Sequence, residues 1–194
     1  METENIEVLL RTPIFDIGKL KDADSRIGFR PIVVKSTDWV CVIVEKDSKY
    51  LVVRQLRYGL MDGFEEFPCG MVESGESPAK AAVRELSEET GYSVDERHLR
   101  YLGCLAANPA FMTNHMHYFY VSLDTVGEEN YLKGTPHTDP HENLEVYWKD
   151  RNAMLNGFFM ENGSSLMAGA YLKLIVGGLL KISIDDEESL LRKD

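Results

Sequence analysis

Glu85, Glu88 and Glu89 stand at i, i+3 and i+4 within a stretch of helical composition, Pro78 to Thr90. At about 100° per residue, that spacing makes the three carboxylates neighbours on one side of a helix. Like charges held so close repel. A solvated acidic face is ordinarily diluted with lysine or arginine, and here only Arg84 stands beside it. A divalent cation resolves the conflict. Carboxylate oxygens are hard donors that suit Mg²⁺, an ion that keeps several waters and recruits substrate phosphates. The competing reading is a plain charged face turned to solvent.

A loop and a helix must hold those carboxylates. Gly70 to Ser77 is punctuated by glycine, Ser77 can cap a helix N-terminus, and Pro78 fits a first turn where a missing N–H costs nothing. Gly91 suits the position just past the helix end. Ala79, Val83, Leu86 and Thr90 form the side expected to face inward. Gly70, five residues, Glu76, seven residues and then Arg84-Glu85-Leu86-Ser87-Glu88-Glu89-Thr90-Gly91 are together similar to the Nudix box of the Nudix hydrolase family. One slot departs: Tyr92 stands where the family usually has an aliphatic packing residue.

This resemblance covers roughly residues 36–182 and implies an α/β fold, the Nudix α/β/α sandwich with a mixed β-sheet between helices. It divides the chain into an N-terminal β segment (1–35), a Nudix hydrolase domain (36–182) and a charged C-terminal tail (183–194). In members that act on nucleotide sugars such a segment commonly helps form a dimer, which implies a homodimer. An edge hairpin added to the main sheet is the other reading of the same residues.

The resemblance also implies roles. Glu85, Glu88, Glu89 and Glu142 become ligands of Mg²⁺, with Mn²⁺ as the alternative, and the backbone carbonyl of Cys69 completes the shell. Arg84 orients the box glutamates, and Glu76 steadies the loop. Glu142 opens the segment Glu142-Asn143-Leu144-Glu145-Val146 and takes the place of the glutamate that orients or deprotonates the attacking water. Family members often have another acid two residues earlier, where this chain has Pro140, so Asp139 competes for the role of base.

The flanks Arg54-Gln55-Leu56-Arg57-Tyr58-Gly59 and Phe64-Glu65-Glu66-Phe67-Pro68-Cys69-Gly70 look like those of ADP-ribose pyrophosphatases. The planar donor fork of Arg57 suits a substrate phosphate, or else pairs with Glu65 or Glu66. Glu66 lies near the metal cluster in the family arrangement. Pro109 fills the place of a proline that resembles the ADP-ribose subgroup, and it is equally an ordinary Asn-Pro turn. Trp39 stacks on a nucleobase or belongs to the core. His115 and His117 alternate along a strand and share a face, where one contacts substrate or, given a third ligand, both bind metal.

Composition sets the bounds. With 194 residues, 44% hydrophobic and 27% charged, the chain is long enough for one well-buried domain. A net charge of −11 without a basic block argues against nucleic acid or anionic membrane as partner. An acidic protein that handles an anionic substrate needs a cation at the site. Cys41, Cys69 and Cys104 are odd in number and spread along the sequence, so neither a disulfide framework nor a zinc site is expected. METENIEVLL lacks the order of a signal peptide, and Leu166 to Leu180 is short for a bilayer and interrupted by Lys173. The expectation is a soluble cytoplasmic protein.

Expected strands are Ile6 to Arg11, Phe29 to Val34, Trp39 to Glu45, Tyr50 to Gln55, Leu99 to Ala106 and His117 to Leu123. Lys46 to Lys49 reads as a hairpin turn, and the unbroken apolar run Val40 to Val44 as a strand buried on both faces. Glu128 to Asn143 reads as a long loop, Trp148 to Phe159 as a strand end and short helix, and Ser164 to Lys181 as a C-terminal helix weakened at Gly177-Gly178.

The expected activity is metal-dependent hydrolysis of the pyrophosphate bond of a nucleoside diphosphate sugar, with ADP-ribose giving AMP and ribose 5-phosphate as first candidate. The alternatives are a hydrolase of another nucleotide, such as a nucleoside triphosphate or dinucleoside polyphosphate, and a non-catalytic ADP-ribose sensor. Intact Glu85, Glu88 and Glu89 stand against the sensor. A third is the family's prenyl diphosphate isomerase branch, for which Cys69 or Cys104 gives weak support.

Overall fold

The computed structural model describes residues 5–22, 28–137, 144–160 and 163–181. Its centre is β4 (Trp39–Lys46), whose side chains alternate between two cores. Val40, Val42 and Val44 meet Ala81, Ala82 and Leu86 of α1 (Pro78–Thr90). Cys41 and Ile43 meet Met167, Ala170, Tyr171 and Leu174 of α4 (Ser165–Val176). Helices on both faces explain why the run Val40 to Val44 is apolar throughout. The layers are helix, mixed sheet, helix.

β4 runs parallel to β10 (His115–Ser122), which pairs antiparallel with β9 (Arg100–Ala106). On the other side lies β5 (Lys49–Arg57), followed by the antiparallel β12 (Glu145–Asp150). The β4–β5 turn is tighter than expected: only Asp47 and Ser48 lie between the strands, at φ 50° and 59°. Positive φ at both central residues gives the twist that a two-residue hairpin needs. β4 and β5 then part after Glu45↔Tyr50. β6 (Asp62–Glu66) pairs with β5 beyond the split and β7 (Cys69–Met71) with β4, so Phe67 and Pro68 bridge the gap.

The N-terminal residues make a three-stranded antiparallel sheet of β1 (Ile6–Arg11), β2 (Asp16–Leu20) and β3 (Ile32–Lys35). Sequence reading missed β2 because Gly18 looked like punctuation. A Cβ there would sit 2.3 Å from Ile6 Cγ2, so close packing on β1 selects glycine inside the strand. Val34 anchors this sheet by donating to the Phe111 carbonyl at 2.8 Å and accepting from Thr113 N–H at 3.1 Å.

Several boundaries move. His115 joins β10, and α4 stops at Val176 before the two glycines. Short β8 (Tyr92–Val94) pairs with β11 (Tyr131–Lys133) inside the stretch expected to be loop. Between them lie the four-residue α2 (Leu123–Val126) and two 3₁₀ turns, and α3 (Arg151–Met160) follows β12. The four-residue α2 is a helix beyond the three that the sequence suggested. The tail at 183–194, Asp139 and Glu142 lie outside the described residues. Among the described residues no helix is long and apolar enough to cross a membrane.

Candidate active site

α1 begins and ends as its sequence dictates. Ser77 Oγ accepts from Lys80 N–H, and Gly91 at φ 75° closes the helix by donating to the Ser87 carbonyl at 2.9 Å. Its inner face differs from the expected one. Ala81 and Ala82 are fully buried with Leu86, while Val83 is half-buried. Two small side chains let the helix backbone lie close to β4, which turns the face toward Ala82, Leu86 and Glu89. Glu89 is thereby carried to the sheet side, where it is only 7% exposed.

Arg84 binds the acidic cluster together. Its Nη1 donates to Glu85 at 2.8 Å and Glu88 at 3.0 Å, and its Nη2 to the Met71 carbonyl at 2.8 Å. Nε and Nη2 reach the two oxygens of Glu76 at 3.2 and 3.0 Å, and Glu76 also accepts from Glu73 N–H. The Arg84 hydrogen bonds hold the Glu76 carboxyl below its ordinary range. The same pairing, Glu76 first, raises the guanidinium of Arg84 further. The repulsion among box carboxylates is thus already offset within the chain.

Where β7 passes under α1, the Cys69 N–H donates to Glu89 Oε2 at 3.0 Å. Gly70 faces Glu85 so closely that a Cβ would lie 2.0 Å from its carboxylate carbon. Close approach, not a left-handed backbone, is what demands glycine here. Across the split, Arg57 Nε donates to Glu66 Oε2 at 2.8 Å and Nη2 lies 3.5 Å from Cys69 Sγ. Glu66 is 3% exposed, so its charge is buried under that guanidinium.

These groups surround a cavity of about 420 Å³ lined on its charged side by Arg57, Glu73, Arg84, Glu85 and Glu89. Ile14, Trp39, Met116 and Leu166 supply an apolar side, with Gln55, Cys69, Gly70 and Met71 between. Trp39, Arg57, Cys69, Arg84, Glu85 and Glu89 therefore meet in one place. Glu66 and Glu88 stand just outside the lining, held by Arg57 and Arg84. Pro109 does not line it; its loop carries the Phe111 and Thr113 bonds to β3. His115 and His117 also lie apart, converging on Asp38: the His115 N–H donates to Oδ1 at 2.7 Å and His117 Nε2 lies 3.1 Å from Oδ2.

Sequence reading missed Ile14, Gln55, Met71, Glu73, Met116 and Leu166. Gln55 was within reach, because it shares a strand face with Arg57 two residues on. Met116 is the register partner of Trp39 on β10, a relation that only topology supplies. The segment leading to Glu142 is moored beside the box: Gly134 N–H donates to the Gly91 carbonyl at 2.7 Å and His137 N–H to the Glu88 carbonyl at 2.8 Å.

Among the described residues no three Asp, Glu, His or Cys side chains converge tightly enough to hold a metal ion, and Arg84 pairs with both Glu85 and Glu88. The donor set nevertheless fits a hard divalent cation. Glu85 and Glu89 both reach the cavity, all donors are oxygen, and the missing side chain of Gly70 leaves a cradle beside Glu85.

Residues 35–166 match the NUDIX domain, and the chain belongs to the Nudix family. Its curated relatives include an ADP-sugar pyrophosphatase of Mus musculus, 31% identical over 138 residues, an alignment covering 71% of this chain and 57% of the mouse protein. This chain thus spans little more than half of that relative's length. An ADP-ribose pyrophosphatase of Bacillus subtilis (strain 168) is 29% identical over 143 residues, covering 73% of this chain and 75% of its own. Among solved structures, that of an ADP compounds hydrolase superposes with a TM-score of 0.66 at 22% identity, covering 91% of this chain and 95% of the other, and shares the fold.

Proposed function

We propose that this protein hydrolyses the pyrophosphate bond of a nucleoside diphosphate sugar, with ADP-ribose as first substrate, giving AMP and ribose 5-phosphate. The observation that carries this reading is the two-sided cavity. Its charged half, with Arg57 facing Glu85 and Glu89, suits a diphosphate neutralised by a cation. Its apolar half, with Trp39, Met116 and Leu166, suits the flat or weakly polar groups at either end of such a molecule.

In this reading Glu85, Glu88, Glu89 and Glu142, with the Cys69 carbonyl, hold Mg²⁺ or Mn²⁺. When bound, the cation neutralises diphosphate oxygens and makes water a better nucleophile. Arg84 orients the box glutamates from behind, and Glu66 fixes the fork of Arg57 for a phosphate. Glu142 positions the attacking water, with Asp139 as the rival, and the mooring of His137 on Glu88 supports placing that segment at the cavity. Trp39 forms a wall for the base or sugar. Pro109 acts through its loop's hold on β3.

A homodimer in the cytoplasm belongs to the same proposal. The N-terminal sheet and its surroundings expose Leu9, Leu10, Phe29 and Ile32, more apolar surface than a lone edge sheet needs. Light scattering on the purified chain decides the oligomeric state. The activity test measures AMP release from ADP-ribose with Mg²⁺ beside ADP-glucose, GDP-mannose, NADH, dinucleoside polyphosphates and nucleoside triphosphates. Preference for ADP-ribose is the expected result. Activity confined to another nucleotide keeps the box chemistry and discards the substrate, and hydrolysis of none of them overturns the enzyme reading.

A further inference from the structure

Cys41 and Cys69, 28 positions apart in sequence, are direct partners across the β4–β7 ladder. Val42 N–H donates to the Pro68 carbonyl and Val72 N–H to the Asp38 carbonyl, each at 2.8 Å. Bonded and non-bonded pairs alternate along an antiparallel ladder, so Cys41 and Cys69 occupy a non-hydrogen-bonded pair. There opposite Cα atoms approach to about 4.5 Å and side chains lie nearest. A disulfide spans Cα separations of roughly 4.4–6.8 Å. Both side chains turn to the α4 face, and both thiols are free. Cys69 lines the cavity, while Cys41 is buried directly beside it.

We propose that Cys41 and Cys69 form a reversible disulfide in the wall of the cavity when the protein meets an oxidant of the peroxide class. Peroxide entering the cavity converts the Cys69 thiol to a sulfenic acid and leaves as water. The Cys41 sulfur then attacks the Cys69 sulfur, the S–O bond breaks, and the hydroxyl departs with the Cys41 proton as a second water. Two thiols and one peroxide become one disulfide and two waters. Burial pushes both thiols up.

The bond has a consequence for the site. Cys69 Sγ accepts from Arg57, and Cys69 N–H anchors Glu89. Drawing the sulfur toward Cys41 removes the acceptor from Arg57 and shifts the backbone under Glu89, so both charged walls move together. This goes beyond the proposed hydrolysis, and the disulfide can be read without any activity.

The test exposes the full chain to hydrogen peroxide at mildly alkaline pH, alkylates remaining thiols under denaturing conditions, and maps the peptides by mass spectrometry. The expected product is a Cys41–Cys69 linked peptide short of two hydrogens, absent in Cys41→Ala and retained in Cys104→Ser. AMP release falls by about a hundredfold, as expected for a misplacement near 1 Å, and a dithiol restores it. Finding Cys41 alkylated in the wild type, or linked only through Cys104 to another chain, overturns the proposal. A linked peptide with undiminished hydrolysis overturns its coupling to the site. A chain that hydrolyses nothing sinks the hydrolase reading alone, because the peptide map still decides the disulfide.

Discussion

Gly70→Ala separates the site from the fold that carries it. An added Cβ would lie 2.0 Å from the carboxylate carbon of Glu85 and 2.1 and 2.3 Å from its oxygens. Ordinary carbon contacts are about 3.5 Å, so the carboxylate must retreat by roughly 1.5 Å. The obstacle is the end of a side chain, which can rotate away, although Arg84 holds it at 2.8 Å. A misplacement of about 1 Å at a reacting centre lowers the rate on the order of 10²-fold. That is about 2.7 kcal/mol of transition-state stabilisation. Stability should hardly change. The partly exposed Arg84–Glu85 pair contributes about 1 kcal/mol or less, and alanine recovers roughly 0.4–1 kcal/mol through the unfolded chain, since Gly70 has no positive φ. The difference shifts Tm by no more than about 4 °C. Turnover of ADP-ribose at saturating Mg²⁺, with a thermal melt on the same sample, reads both quantities. Near wild-type kcat, or a melt lowered far beyond that range, would show that Gly70 does not serve as the cradle of Glu85.

Four further outcomes are expected. Glu89→Gln keeps the fold, because the amide oxygen still accepts from Cys69 N–H, and loses most activity; retained turnover at saturating Mg²⁺ removes Glu89 from the ligand set. Glu142→Gln lowers kcat far more than KM, while a pure KM effect transfers the base to Asp139. The Arg84 hydrogen bonds depress the folded pKa of Glu76 below that of the unfolded carboxyl, so its contribution is complete above that unfolded value and fades as pH falls through the folded pKa. Acid melts of Glu76→Gln should therefore lose less stability below that value than wild type, and parallel curves would refute the pairing. Gly169→Ala puts a Cβ 2.1 Å from the Tyr118 hydroxyl in a buried spot, and overpacking should destabilise by about 2 kcal/mol, read by urea unfolding.

How far the sequence reaches is clear from particular residues. Val40 to Val44 announced a strand covered twice, and Ser77, Pro78 and Gly91 bounded α1, because each signal is local and uncontested. Gly18 misled, since a glycine chosen for close approach to Ile6 looks the same as one chosen for a turn. Val83 misled because hydrophobicity outranks size in a face count, whereas the helix approaches the sheet through Ala81 and Ala82. At the site, Arg84 and Glu76 were legible through the resemblance of their stretch to the Nudix box, which lies along one helix and its loop. Met116, Leu166 and Ile14 were not, because they come from three remote segments that meet only once strands are ordered. Arg57 was left between a phosphate and a glutamate; its bond to buried Glu66 supplies one half of that choice.

Arg84 ties Glu76, Glu85 and Glu88 together. The chain therefore carries its own counterion for these three carboxylates, so their mutual repulsion is offset by a side chain of the same helix. A newly made copy can reach its native shape in an ion-poor setting, and a chelator should leave it folded and ready to recover. Under the proposed metal-dependent hydrolysis, supply of the cation then acts as a throttle on turnover and not as a quality check on the protein's birth.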